Sequence, residues 1–132
     1  MKDILKSGVM IMRRILAVDD NSEILEILQL ILEDYGYTVD TLTDGHYLFD
    51  RIKESMPDLI LLDVMLGDMD GRELCKEVKS GEFTHGIPVV LLSATYEMTE
   101  NDKMKYGNPN AFIAKPFDIN VLIDVVERQL AA

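Results

Sequence analysis

The strongest constraint on the fold is a run of aliphatic residues that ends in a carboxylate. Pro57-Asp58 is followed by Leu59-Ile60-Leu61-Leu62 and then directly by Asp63. A short unbroken apolar run is typical of a strand covered on both faces, as in a parallel sheet between two layers of helices. The carboxyl edge of such a sheet is where ligands bind in open α/β folds. One aspartate there could simply cap the next turn, so the interpretation depends on whether the pattern recurs.

The pattern does recur, because strand-like segments alternate with helical ones along the chain. The predicted strands are residues 13–18, 37–42, 57–63, 87–92 and 111–114. Helices are predicted after Asn21 or Ser22, after Asp44-Gly45, after a Gly- and Asp-rich loop at 64–71, roughly over 99–106, and after Asp118. Their apolar residues recur at helical spacing: Ile24, Leu25, Ile27, Leu28, Ile31 and Leu32 in the first, and Val121, Leu122, Val125 and Val126 in the last.

Five strands alternating with five helices predict right-handed βαβ crossovers and a parallel sheet. We therefore predict an α/β fold, namely a five-stranded doubly wound parallel sheet with helices on both faces, flavodoxin-like and in a single domain. Residues 12–132 are assigned to this domain. Residues 1–11 show no period and are predicted to be a poorly ordered N-terminal extension.

Composition excludes several classes of protein. The apolar runs of this 132-residue chain are too short for a membrane span, and its first residues lack the features of a secretory signal. Cys75 is the single cysteine, which rules out an internal disulfide and fits a reducing cytoplasm. A net charge of −11 argues against direct nucleic-acid binding and suits a cation or a partner with a basic patch. We expect a cytoplasmic protein with no membrane contact.

Polar side chains follow four of the five predicted strands. Asp19 and Asp20 follow the first, Asp63 ends the third, Ser93 follows the fourth and Lys115 follows the fifth. Since equivalent strand ends lie along one edge of the sheet, these side chains are predicted to converge. Two carboxylates 4 Å apart repel by roughly 4 kcal/mol at an effective dielectric of about 20, so the group needs a cation or raised pKa values.

The chemistry that this set favours is phosphoryl transfer. Oxygen-only ligands suit Mg²⁺, which binds through one or two carboxylates and phosphate oxygens. A lysine beside the cation stabilises the charge of a phosphoryl group. An ionised carboxylate can itself be the nucleophile and form an aspartyl phosphate without a general base. The set therefore predicts Mg²⁺-assisted phosphoryl transfer onto an aspartate.

Four motifs in this order resemble the receiver domain of two-component response regulators, including the stand-alone chemotaxis regulator. The resemblance covers roughly residues 13–130. It is carried by Ile15-Leu16-Ala17-Val18-Asp19-Asp20, by Leu59-Ile60-Leu61-Leu62-Asp63-Val64-Met65-Leu66 with Asp70-Gly71, by Val90-Leu91-Leu92-Ser93-Ala94, and by Phe112-Ile113-Ala114-Lys115-Pro116-Phe117.

The resemblance implies a role for each residue of the metal and phosphate site. It makes Asp63 the phosphoacceptor. Asp20 and Asp63, with the backbone carbonyl of Met65, would bind Mg²⁺, and Asp19 would act mostly through a metal-bound water. Lys115 would pair with the phosphoryl group.

Further implications concern the switch and the partners. Ser93 would hydrogen-bond the phosphoryl group beside the small Ala94, and Phe112 would be the aromatic switch residue. The Lys115-Pro116 peptide would be cis so that the lysine turns back into the site. The implied partners are a sensor histidine kinase or phosphotransfer protein and a downstream protein target, with a homodimer through the fourth helix, last strand and last helix. The domain would catalyse only its own phosphorylation and dephosphorylation.

The sequence departs from the family's pattern at three places. Gly67 stands where proline is common, which is expected to loosen the loop after Asp63. Phe112 replaces the commoner tyrosine, so a hydroxyl contact at the output face is lost. The segment 107–111 departs from the usual Gly-Ala pattern and is longer by one residue, which makes the output surface atypical.

Two other functions use a similar fold. A haloacid-dehalogenase-type phosphatase also uses an aspartate nucleophile and Mg²⁺, but needs a second acid two residues later, where this chain has Met65. A flavodoxin-like binding module needs a phosphate-cradling loop after the first strand, where Asp19 and Asp20 would repel the phosphate. His46 and His85 show no ligand spacing and are interpreted as surface residues, and Cys75 as a core residue.

Overall fold

The computed structural model describes residues 2–4, 10–94, 99–105 and 107–131, which form nine strands and five α-helices. In chain order the elements are β1 (Lys2–Ile4), β2 (Met10–Met12), β3 (Arg14–Val18), α1 (Ser22–Asp34), β4 (Thr38–Leu42), a 3₁₀ turn (Gly45–Tyr47), α2 (Leu48–Glu54), β5 (Leu59–Asp63), β6 (Met65–Leu66), β7 (Met69–Asp70), α3 (Gly71–Ser80), β8 (Val89–Ser93), α4 (Glu100–Lys105), β9 (Ala111–Ala114) and α5 (Ile119–Ala131).

The main sheet has five parallel strands in the order β4-β3-β5-β8-β9. The chain first winds outward from β3 to β4 and then returns to β5 on the other side of β3. The order therefore reverses between β3 and β5, which is the position where ligands bind in doubly wound sheets. This architecture confirms the predicted α/β fold.

Helices cover both faces of the sheet, and each face has its own apolar core. Alternate strand residues point to opposite faces: Ile15, Ala17, Leu59 and Leu61 join the core beneath α1 and α5, whereas Leu16, Val18, Ile60 and Leu62 join the core beneath α2 and α3. Every side chain of β5 and β8 is buried. The unbroken apolar runs in the sequence are thus explained by burial on two faces.

Most helix boundaries follow the predicted signals. Asn21 caps α1, and its side chain accepts hydrogen bonds from the backbone N–H groups of Glu23 and Ile24. Gly36 follows that helix with a φ of 95°, a conformation that favours glycine. Asp118 accepts hydrogen bonds from the first N–H groups of α5 in the same way.

Several sequence predictions need correction. The segment 64–71 is not a plain loop, because β6 and β7 pair antiparallel within it and Gly71 already belongs to α3. Ile27 and Val121 do not lie on the buried faces of their helices and are exposed, whereas Ile123 is buried in place of Val121. The fourth helix spans Glu100–Lys105, and Tyr106, predicted as its end, lies outside the described residues.

Part of the N-terminal extension has regular backbone structure. β1 and β2 pair antiparallel and form a two-stranded sheet separate from the main one. Residues 5–9, which connect them, lie outside the described part of the chain. Within the described ranges, no helix has both the length and the apolar character that crossing a bilayer would require.

Candidate functional site

The strand register brings two aspartates together at the point where the sheet order reverses. Val18 is the partner of Leu62 in the parallel pairing of β3 with β5. Asp19 directly follows β3 and Asp63 is the last residue of β5, so the two lie side by side. The backbone N–H of Asp19 donates to the carbonyl of Leu42 at 3.1 Å, which holds the end of β3 against β4.

The same register places the other two predicted site residues on the neighbouring strands. Asp63 is the partner of Leu92, so Ser93 lies one residue further along the same edge. Ser93 is the partner of Ala114, so Lys115, the residue after Ala114, lies at the same edge of the sheet. The Lys115 backbone N–H donates to the Ser93 carbonyl at 2.8 Å and fixes this end of β9.

A cluster of three carboxylates and one lysine forms the centre of the site. One carboxylate oxygen from each of Asp19, Asp20 and Asp63 lies within 4.8 Å of the others. The Lys115 Nζ is 2.7 Å from Asp19 Oδ2 and 3.3 Å from Asp63 Oδ2. Asp19 and Asp63 are buried and Asp20 is exposed. The predicted convergence of these four side chains is confirmed.

Electrostatics disfavour the ionised form of Asp63. Burial raises its pKa, and the negative charge of Asp19 raises it further. The Lys115 ammonium and a hydrogen bond from the Met65 backbone N–H act in the opposite direction without cancelling the effect. A further positive charge among these carboxylates would therefore favour ionised Asp63.

The donor set fits a small divalent cation such as Mg²⁺. All three carboxylates are hard oxygen ligands, and exposed Asp20 gives access from solvent. Asp19 is already engaged, because its Oδ1 accepts from the Asn21 backbone N–H at 2.9 Å and its Oδ2 accepts from Lys115. Asp63 is engaged as well, by Lys115 and by the Met65 backbone N–H, and all three aspartates could contribute to a cation site.

Gly71 supports the site by allowing close packing behind Asp63. A Cβ atom at this position would lie 1.9 Å from the Asp63 carbonyl oxygen and 3.0 Å from the Cα of Val64. The Gly71 N–H also donates to the Val64 carbonyl at 2.7 Å. The sequence contains Asp70-Gly71 as a motif, but no pattern in it indicates this contact between α3 and the end of β5.

The two residues expected to act in the switch, Ser93 and Phe112, lie on β8 and β9. Ser93 is buried at the end of β8. Phe112 is partly buried, packs against the core beneath α2 and α3, and is the register partner of Leu91. The peptide bond between Lys115 and Pro116 is cis, as predicted.

Gly67 lies in a tight turn of the loop after Asp63. β6 and β7 are joined by the two residues Gly67-Asp68, and Gly67 has a φ of 65°. Glycine with positive φ at the first position of a two-residue hairpin is typical of a type II′ turn, so glycine suits this site.

A contact that the sequence does not reveal joins this hairpin to the loop after β4. His46 Nδ1 lies 2.6 Å from Asp44 Oδ1, and His46 Nε2 lies 3.6 Å from Asp68 Oδ2. The two aspartates raise the pKa of His46. His46 is exposed, as predicted, and Cys75 is buried in the core with a pKa raised by burial to about 11.

Comparison with known proteins identifies the family. A model of the response regulator receiver domain matches residues 15–127, which is most of the chain. The chain belongs to the response regulator receiver domain family. A receiver domain is a domain of two-component signalling, generally without enzymatic output, and its family membership implies a switch operated by phosphorylation.

Solved receiver structures share the whole fold. A protein described as a response regulator from Chloroflexus aurantiacus J-10-fl is 31% identical, with a TM-score of 0.84 over 92% of this chain and 100% of that one. The receiver domain of a signal transduction histidine kinase from Syntrophus aciditrophicus is 32% identical, with a TM-score of 0.79 over 90% of each chain. The chemotaxis protein CheY4 from Vibrio cholerae is 29% identical, with a TM-score of 0.81 over 91% of this chain and 100% of that one.

Proposed function

We propose that this receiver domain is a switch of a two-component phosphorelay that accepts a phosphoryl group on Asp63. The observation that carries the proposal is the Lys115 ammonium, which lies 3.3 Å from Asp63 and 2.7 Å from Asp19 with Asp20 in the same cluster. A nucleophilic carboxylate, two further acids for a cation, and a lysine for the phosphoryl oxygens make up the complete set for this chemistry.

The transfer needs no general base on this chain. An oxygen of ionised Asp63 forms the new O–P bond while the N–P bond of a phosphohistidine donor breaks. The electron pair of the broken bond stays with the donor imidazole, which takes up a proton from solvent. The Lys115 ammonium can move from Asp63 to the incoming oxygens with little displacement, since it already lies against that carboxylate.

Mg²⁺ would supply charge neutralisation when bound, and the residues that would hold it are Asp20, Asp63 and the backbone carbonyl of Met65. Asp19, whose two oxygens accept from the Asn21 backbone N–H and from Lys115, would contribute through a metal-bound water. Cation binding also favours the ionised, nucleophilic form of Asp63, whose pKa is otherwise raised by burial.

The output of the switch follows from Ser93 and Phe112. A phosphoryl group on Asp63 offers the Ser93 hydroxyl a new acceptor and draws it towards the site. That movement leaves space behind β8, and Phe112 on the adjacent strand is the large side chain placed to move inward. With no hydroxyl to satisfy, its burial is favourable by up to about 2 kcal/mol. Phosphorylation thereby alters the face formed by α4, β9 and α5.

The proposed partners are defined by this chemistry. A sensor histidine kinase or phosphotransfer protein would supply the phosphoryl group, and a downstream protein would bind the α4-β9-α5 face, as would a second copy in a homodimer. Met104 on α4 and Ile119 on α5 leave apolar surface exposed on these elements. The single cysteine fits the cytoplasm, the compartment that we propose.

Intact-mass measurement after incubation with acetyl phosphate tests the proposal. We expect one added phosphoryl group with Mg²⁺ present and none with EDTA. A phosphatase of the haloacid-dehalogenase type would instead release phosphate catalytically from added phosphate esters. Turnover of this kind, or phosphorylation that is unaffected by EDTA, would contradict the proposed function.

A further inference from the structure

An apolar pocket lies far from the proposed phosphorylation site, between α2 and the turn that follows α3. Its volume is about 240 Å³ and its surface is almost entirely apolar. Its lining includes Phe49, Ile52, Lys53, Met56, Glu82 and Phe83. The turn at 81–84 precedes β8, so this pocket lies towards the amino edge of the sheet, whereas the carboxylate cluster lies at the carboxyl edge.

The lip of the pocket carries large apolar side chains that nothing in the described chain covers. Phe83 is 82% exposed and Met56 is 53% exposed. Exposed apolar residues are common singly, but here two of them border a cavity that is itself apolar. An exposed aromatic side chain and an apolar pocket therefore lie side by side on one surface.

Two opposite charges stand on the same lip. Lys53 and Glu82 both line the pocket and are exposed, and neither forms an ion pair with another described residue. The patch is therefore locally neutral on a chain whose net charge is −11. Two copies of so acidic a chain repel each other over most of their surface, and a neutral patch is where they can approach.

We propose that this pocket is a self-association surface at which two copies of the chain meet around a two-fold axis. In a two-fold contact the same patch meets itself, so the patch must be self-complementary. Here the exposed Phe83 ring of each copy enters the pocket of the other, and Lys53 of each copy faces Glu82 of the other.

The contact is small, so the dimer is weak and depends on concentration. It leaves the carboxylate cluster and the α4-β9-α5 face open, because both lie elsewhere on the domain. Self-association at this surface consequently requires no phosphoryl group. It is independent of the homodimer proposed for the output face.

Sedimentation equilibrium of the unphosphorylated full chain over a wide concentration range tests the proposal. We expect a monomer–dimer equilibrium that F83D weakens by about tenfold or more, since an aromatic anchor is replaced by a charge. F83D should keep its folded circular dichroism spectrum and its acetyl phosphate reaction, because Phe83 is exposed and remote from the site. L30D, which alters an exposed residue of α1 outside both proposed surfaces, is the matched control and should dimerise like the unaltered chain.

Charge reversal at Lys53 and at Glu82 distinguishes the proposed ion pairs between the two copies from general repulsion between two acidic chains. K53E makes the chain more acidic and E82K makes it less acidic, yet we expect each to weaken the dimer because each places like charges in contact. The double variant K53E/E82K restores both pairs and should recover the dimer. If E82K instead strengthens association, general charge is responsible and the proposal is wrong.

Three other results would overturn the proposal. The chain could remain monomeric throughout the concentration range, or I119D could abolish association while F83D leaves it intact, which would assign the contact to the output face. A monomer that binds an apolar fluorescent dye at one site, with binding lost in F83D, would make the pocket a small-ligand site. None of these results bears on phosphorylation of Asp63, so the proposed function is tested separately.

Discussion

Replacing Gly71 by alanine has two opposite effects on stability: it favours the helix α3, and it disturbs the packing against Asp63. Alanine at the first position of α3 would favour the helix by up to about 1 kcal/mol relative to glycine. Its Cβ, however, would lie 1.9 Å from the Asp63 carbonyl oxygen. Because this oxygen belongs to the backbone, the backbone must move by about 1 Å or more to make room. Overpacking of this kind costs about 1–3 kcal/mol, so we expect a net loss of unfolding free energy.

The same displacement should slow phosphorylation, because the displaced oxygen belongs to Asp63, the proposed phosphoacceptor. A shift of about 1 Å in a reacting group can slow a reaction by about 100-fold. We expect G71A to react with acetyl phosphate at least about tenfold more slowly at saturating Mg²⁺. Urea unfolding and the time course of phosphorylation by intact mass measure the two effects.

Gly86 offers a matched control for this substitution. A Cβ at Gly86 would meet nothing within 4 Å, and its φ is not in the left-handed region. G86A should stay within about 1 kcal/mol of the unaltered chain and phosphorylate at the same rate. A G71A chain that is as stable and as reactive as G86A would refute the proposed packing of Gly71 against Asp63.

Three further predictions concern the switch, a pH-dependent contact and the N-terminal segment. S93A should still accept phosphate but lose most of the chemical-shift change around Phe112 on binding beryllofluoride; unaltered amide shifts would disprove the coupling. His46 should titrate above its usual 6.5 in NMR, because Asp44 stabilises its charged form, and D44N should lower that pKa. The ion pair between His46 and Asp44 is present at low pH and is lost as the pH rises through the raised pKa of His46. A chain beginning at Met12 should unfold within about 1 kcal/mol of the full chain, and a larger loss would show that the preceding residues stabilise the domain.

The sequence predicts the sheet and the site because both depend on strands buried on two faces. In β5 and β8 the last residue of the strand, Asp63 or Ser93, is the single polar one, so the apolar runs mark the strands to within about two residues. Once the strands are parallel and adjacent, register alone brings Asp19, Asp63 and Lys115 together. The composition of the carboxylate and lysine cluster could thus be predicted without any contact being known.

What the sequence does not reveal depends on short-range geometry or on exposed positions. Spacing alone places Ile27 and Val121 on the apolar faces of their helices, although both sit at the margin of those faces and are exposed. The pairing of β6 with β7 depends on a two-residue turn at Gly67. The contact of His46 with Asp68 in the turn of that hairpin depends on the relative positions of two loops that are separate in sequence.

The central claim is that Asp63 is the residue that receives the phosphoryl group, and mapping the modified residue tests it most directly. After reaction with acetyl phosphate and Mg²⁺, borohydride reduction of the acyl phosphate followed by peptide mass spectrometry locates the modified carboxylate. The account predicts modification at Asp63 alone, and no phosphoryl mass gained by D63N. Modification at another aspartate of the unaltered chain, or a D63N chain phosphorylated at the rate of the unaltered one, would contradict it.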